Sequence, residues 1–150
     1  MSILGPNANK STLLDLVNQD EVEPFYFKSF PAGHRPTDFP KWYNSSRPYT
    51  ITWAQNFEPY VIVKLKDLLT FDERFIGFGL DKISLFMELD AMNYEMVVHP
   101  SAFVVHKPHA TSNDNVQFHS DKTYRRCIQM LKKQFVKELA FKYSVDPNKY

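Results

Sequence analysis

Hydrophobic positions recur at helical spacing over the last third of the chain. From Ser120 onward Tyr124, Cys127, Ile128, Leu131, Phe135 and Leu139 fall on one stripe, with lysine and arginine on the other face. That pattern predicts an amphipathic helix of roughly 24 residues, its stripe packed inward and its basic face in water. Cys127 is expected on the stripe as a buried small side chain. Earlier segments are shorter. Ser11 and Thr12 can cap a helix reaching Asn18, and residues 25–30 alternate aromatic with other side chains between Pro24 and Pro31, which reads as a strand. Residues 33–43 carry prolines and read as a loop. Residues 49–53 and 60–64, rich in β-branched and aromatic side chains, read as strands, as do residues 94–98 and 102–106. Asp81 stands just before the apolar run of Ile83, Phe86 and Met87, where its carboxylate suits a helix N-cap. Residues 111–119 are polar and read as irregular.

These elements add up to an α/β fold with a small mixed sheet, flanking helices and a long C-terminal helix. A length of 150 residues suits one domain spanning 1–150. The net charge is +1, from 18 basic and 17 acidic residues, so bulk electrostatics do not point to a polyanion such as nucleic acid. Cys127 is the only cysteine, which excludes an internal disulfide. No apolar run approaches the ~20 residues of a membrane span, and residues 1–10 lack the charged-then-apolar order of a signal peptide. Asn9-Lys10-Ser11 and Asn44-Ser45-Ser46 are glycosylation sequons, relevant only in a secretory compartment.

Candidate chemistry concentrates between Phe71 and His109. Asp72, Glu73 and Arg74 lie between two phenylalanines, and Gly77-Phe78-Gly79 follows, a backbone suited to a sharp bend or a close approach to a ligand. Asp81 then opens a helix. His106-Lys107-Pro108-His109 closes an apolar strand, so its first imidazole is fixed in direction by the backbone. Each part also has a plain structural explanation, as turn, cap or strand end; their concentration within about forty residues makes the stretch compact.

At these residues the chain resembles glycosyltransferase family 49. Phe57-Glu58-Pro59-Tyr60-Val61, the run from Phe71 to Lys82, Met87-Glu88-Leu89-Asp90-Ala91 and the run from Phe103 to His109 look like the C-terminal half of its glucuronyltransferase domains, those of the LARGE-type xylosyl- and glucuronyltransferases and the related β-1,4-glucuronyltransferase. The likeness continues in Gly33-His34, Pro36-Thr37 and Lys41-Trp42.

The resemblance implies the C-terminal part of a GT-A fold. It also implies inverting transfer of glucuronate from a UDP-glucuronate donor to a glycan acceptor of the protein O-mannosyl type, dependent on manganese, in the Golgi lumen. His106 is then the expected metal ligand, with His109 a weaker candidate. Lys107, Arg74, Gly77 and Gly79 would meet the donor, Arg74 as a bidentate partner for its carboxylate. Glu58, Trp42 and Arg35 would line the acceptor cleft. The base is expected at Asp81, but the family more often has asparagine there, which leaves Asp72, Glu73 or Glu58 open. The 150 residues contain no DxD, and no N-terminal βαβ run to hold uridine. The expectation is therefore a partial domain, inactive alone and associating with the missing N-terminal half. The rival from another class is a non-catalytic glycan-binding or interaction module built on Trp42, Tyr43 and the 33–43 loop.

Overall fold

The computed structural model describes residues 8–64, 66 and 69–150. Its fold is mixed α/β, with a two-stranded antiparallel sheet and five α-helices among the described residues. The chain divides into two compact units, Met1–Ala54 with Glu95–Lys107, and Gln55–Tyr94 with Pro108–Tyr150.

The first unit begins with α1, Lys10–Asn18, capped by Asn9, whose Oδ1 accepts from the Thr12 amide at 3.0 Å. The cap therefore sits just ahead of the Ser11-Thr12 pair. Two 3₁₀ turns, Pro31–Gly33 and Arg35–Thr37, lead into α2, Phe39–Asn44. Asp38 takes a left-handed conformation (φ 56°) and caps α2 by accepting from the Lys41 amide, and a short polar side chain tolerates that region better than most. The 33–43 segment is thus helical turns rather than open loop. Strand β1, Tyr49–Ile51, pairs antiparallel with β2, Met96–Val98, with Tyr49 opposite Val98 and Ile51 opposite Met96.

Residues 25–30 do not form the expected strand. Tyr26 has φ 49° and the Phe30 amide donates to the Tyr26 carbonyl at 2.8 Å, so the segment coils into turns. Its aromatics pack on other rings instead: the Phe25 ring meets His34 and His106, and Phe27 meets Phe39. Residues 102–106 are likewise outside any ladder among the described residues.

The second unit is built on α3, Asp81–Ala91, and α5, Lys122–Tyr143. Phe57, Phe86 and Met87 are almost wholly buried, joined by Ile83, Leu89, Ile128, Phe135 and Leu139. Phe75 meets Phe135 edge-on at 5.7 Å between centroids, a favoured aromatic geometry. Charged pairs tie the helices: Glu88 of α3 accepts from Lys142 at 2.9 Å and from the Tyr143 hydroxyl at 2.7 Å. The Tyr150 hydroxyl donates to Asp90 at 2.8 Å.

Four expectations change here. Asp81 is not the cap of α3 but its first residue; Leu80 occupies the cap in a left-handed conformation (φ 68°). Residues 60–64 are irregular. Most of the 111–119 stretch belongs to α4, Asn113–Ser120, because Ser112 caps it by accepting from the Asn115 amide and Asp121 then caps α5. Cys127 is exposed. It precedes Ile128, and consecutive helical residues point about 100° apart. The line of Ile128, Phe135 and Leu139 takes the centre of the face and turns Cys127 outward.

Candidate functional site

The loop from Phe71 to Gly79 owes its shape to two fixed points. The first is Arg74. Its Nε donates to Asp72 at 2.9 Å, and its Nη1 and Nη2 donate to the two oxygens of Glu138 at 3.0 and 2.6 Å. Hydrogen bonding to Arg74 holds both carboxyls below the usual carboxylate range and raises the guanidinium's proton affinity further. Arg74 thus clips the loop to α5, and its fork is filled by carboxylates of the chain rather than held open for a donor carboxylate. Asp72, lowered and bound, is a poor proton acceptor. Glu73 between them is exposed.

The second fixed point is Tyr124 of α5, whose hydroxyl lies 2.7 Å from the Ile76 carbonyl and 3.2 Å from that of Phe78. Gly77 and Gly79 have φ of 79° and 113°, values that side-chain-bearing residues rarely adopt. A Cβ on Gly77 would lie 2.7 Å from the Tyr124 hydroxyl, and one on Gly79 would lie 2.8 Å from the Phe118 ring. The glycines are therefore explained by packing of the loop on α4 and α5. A groove of about 330 Å³ runs beside Asp72, Arg74, Glu88, Glu138 and Lys142. Its charges are paired with one another, and Glu58 and Asp81 do not line it.

A different carboxylate stands out at the start of α3. Glu58 follows the fully buried Phe57, and its own side chain is 20% exposed. Burial raises its proton affinity. The ammonium of Lys82, 3.6 Å away, opposes that rise, and the neighbouring charge of Asp81 adds to it. Lys82 also lies 5.4 Å from the centre of the Tyr60 ring. Two carboxylates and a lysine therefore gather where the backbone amides of α3 begin, and negative charge is favoured there. Such a group can hold or release a proton nearer neutrality than an ordinary glutamate.

The remaining candidates belong to the first unit, except His109, which falls in the second. Trp42 is 5% exposed; its indole donates to the His99 carbonyl at 2.9 Å, and Lys10 stands over its ring at 4.5 Å. It is a buried anchor, and its ring face is not presented for stacking on a sugar, which removes the main support for a binding module centred on it. Arg35 is exposed. His106 and Lys107 are exposed as well, the His106 ring 4.3 Å from that of Phe25. Exposed His109 sets its Nδ1 2.8 Å from the Ala110 carbonyl. Among the described residues no three His, Cys, Asp or Glu side chains converge, so His106 does not by itself complete a manganese site. Sequence reasoning missed Lys82, Tyr124 and Glu138. Only Lys82 carried a local signal, being next to Asp81.

A family model described as glycosyl-transferase for dystroglycan matches residues 3–144. Over 142 residues the chain is 42% identical to the xylosyl- and glucuronyltransferase LARGE2s of Gallus gallus, covering 95% of this chain and 19% of that protein. It is 41% identical over 145 residues to LARGE2 of Mus musculus, covering 97% of this chain and 21% of that one. Identity to LARGE1 of Homo sapiens is 39% over 142 residues. The chain thus spans about a fifth of the length of these relatives. No helix among the described residues is long and apolar enough to cross a membrane. With nearly its whole length matched, the chain belongs to the glycosyltransferase family of the LARGE xylosyl- and glucuronyltransferases.

Proposed function

We propose that this segment supplies acceptor-side chemistry to an inverting glucuronyltransferase that uses UDP-glucuronate and builds a glycan on protein in the Golgi lumen. The observation that carries this reading is the half-buried Glu58, raised in proton affinity beside Asp81 and Lys82 at the start of α3. Inversion requires a base within reach of the acceptor hydroxyl, and its efficiency is greatest when its pKa lies near the working pH. Glu58 is the carboxylate that would take the acceptor proton; Asp81 raises its basicity and Lys82 fixes its position. Asp72 is unsuited to the same role because Arg74 lowers it.

His106 and Lys107, both exposed, would face the donor diphosphate. His106 would give one imidazole to manganese, with the further ligands coming from outside this chain, and Lys107 a point charge to phosphate. When bound, such a cation supplies positive charge to the leaving diphosphate.

The test uses a full-length protein carrying this segment, assayed for UDP release from UDP-glucuronate across a manganese titration. His106→Ala is expected to raise the manganese concentration needed for half-maximal rate, and His109→Ala to raise it less. Superimposable titrations for wild type and His106→Ala would remove His106 from the donor site. The 150-residue chain alone is expected to release no UDP, since one imidazole does not fix a cation.

A further inference from the structure

Helix α5 carries a second organised surface. Lys122, Arg126, Lys133 and Lys137 are all exposed, and their spacings of four, seven and four residues bring them within an arc of about 60°. The stripe runs about 22 Å along the helix. Among the described residues, none of the four meets a carboxylate within ion-pair distance. The only acid within α5, Glu138, is taken by Arg74. Beside the stripe, Phe141 is 92% exposed, one helical turn beyond Lys137, and Met130 is 63% exposed. The opposite face of the helix is spent on the core through Ile128, Phe135 and Leu139.

We infer that this stripe is a binding surface for a polyanionic glycan, namely the glucuronate-bearing product, held outside the transfer site; the inference rests on the glucuronyl reading above. Each glucuronyl transfer adds one carboxylate, so a chain with several such sugars presents a spaced row of negative charge to a spaced row of cations. Phe141 beside Lys137 offers a flat apolar face to the C–H side of a sugar ring while the ammonium meets its carboxylate. A membrane surface fits less well: the apolar face that would insert is buried in the unit, leaving Met130 and Phe141, eleven residues apart, to do so.

The 150-residue chain is titrated calorimetrically with an oligosaccharide alternating glucuronate and a neutral sugar. The same oligosaccharide with its carboxyls reduced, and phosphatidylserine–phosphatidylcholine vesicles, serve as the other arms. Binding is expected for the carboxylated oligosaccharide and not for the reduced one. Lys133→Gln/Lys137→Gln is expected to weaken it about tenfold or more, the scale of one hydrogen bond to a charged group, with an unchanged melting temperature. Phe141→Ala is expected to weaken it severalfold while leaving its salt dependence intact. Equal affinity for wild type and the double variant, equal affinity for the reduced oligosaccharide, or binding to vesicles alone would each overturn the inference. Glu58→Gln and His106→Ala are expected to leave this binding untouched. Transfer retained in Glu58→Gln would mark a failure of the transferase mechanism and leave this inference standing, whereas binding unchanged by Lys133→Gln/Lys137→Gln while Glu58→Gln loses transfer would mark a failure of this inference alone.

Discussion

Arg74 and Glu138 stand 64 residues apart in the chain and face each other fork to fork, with Nη1 to Oε1 at 3.0 Å and Nη2 to Oε2 at 2.6 Å. The same guanidinium reaches back to Asp72, so one cation between two acids fixes the start of the 71–79 loop on α5. Arg74 is 40% exposed at its side chain and Glu138 47%, so solvent screens the pair. A double-mutant cycle of Arg74→Ala and Glu138→Ala, read by denaturant unfolding, is expected to give a coupling of about 0.5–1 kcal/mol. Arg74→Lys is expected to lose most of that coupling, because an ammonium cannot make the two-pronged contact.

The same clip predicts the sign of the pH response. Asp72 and Glu138 are both lowered in the folded state by Arg74. Their stabilisation is fully present above the ordinary carboxylate pKa of about 4 and is lost as pH falls through the lower folded values. Melting temperature measured from pH 6 downward is expected to drop below about pH 4, and the drop should be shallower in Arg74→Ala. Parallel curves for the two proteins would show that the clip contributes nothing to acid sensitivity.

Gly79 provides a test of the loop's packing. Alanine there faces both a φ of 113° and the Phe118 ring at 2.8 Å from the new Cβ. A loss of roughly 1–3 kcal/mol is expected in chemical denaturation. Tyr124→Phe, which removes only the hydroxyl above the Ile76 carbonyl, is expected to cost about 1 kcal/mol.

Trp42 separates a packing role from a glycan-binding one. Trp42→Ala is expected to destabilise the protein by about 3–5 kcal/mol, the range for emptying a buried aromatic site. Thermal unfolding measures it directly; a variant as stable as wild type, with weakened glycan binding, would return Trp42 to the acceptor surface.

Sequence reasoning succeeded where a signal was long or local. The period of α5 was legible because 22 residues hold one apolar face, and the glycines of the 71–79 loop were legible because positive φ needs them. Cys127 misled because a stripe read by spacing has a width, and Ile128 beside it took the centre. Residues 25–30 misled because alternation alone supplies no partner strand, and Tyr26 turns back instead. The site was half legible. Asp81 and Glu58 were each visible as acids near an element's start, yet their grouping with Lys82 depends on how residue 58 returns to α3. Glu138 had no local mark at all.

The central claim is that Glu58 takes the acceptor proton, and the most direct measurement is the pH profile of kcat/KM for glucuronyl transfer in a full-length protein carrying this segment. Glu58→Gln is expected to lower kcat by about 10²-fold or more, with donor KM and melting temperature unchanged. Asp81→Asn, which removes the charge that raises Glu58, is expected to keep turnover and move the acidic limb to lower pH. Wild-type turnover in Glu58→Gln would contradict the account, and an acidic limb unmoved in Asp81→Asn together with a collapse of its rate would contradict it and make Asp81 the base.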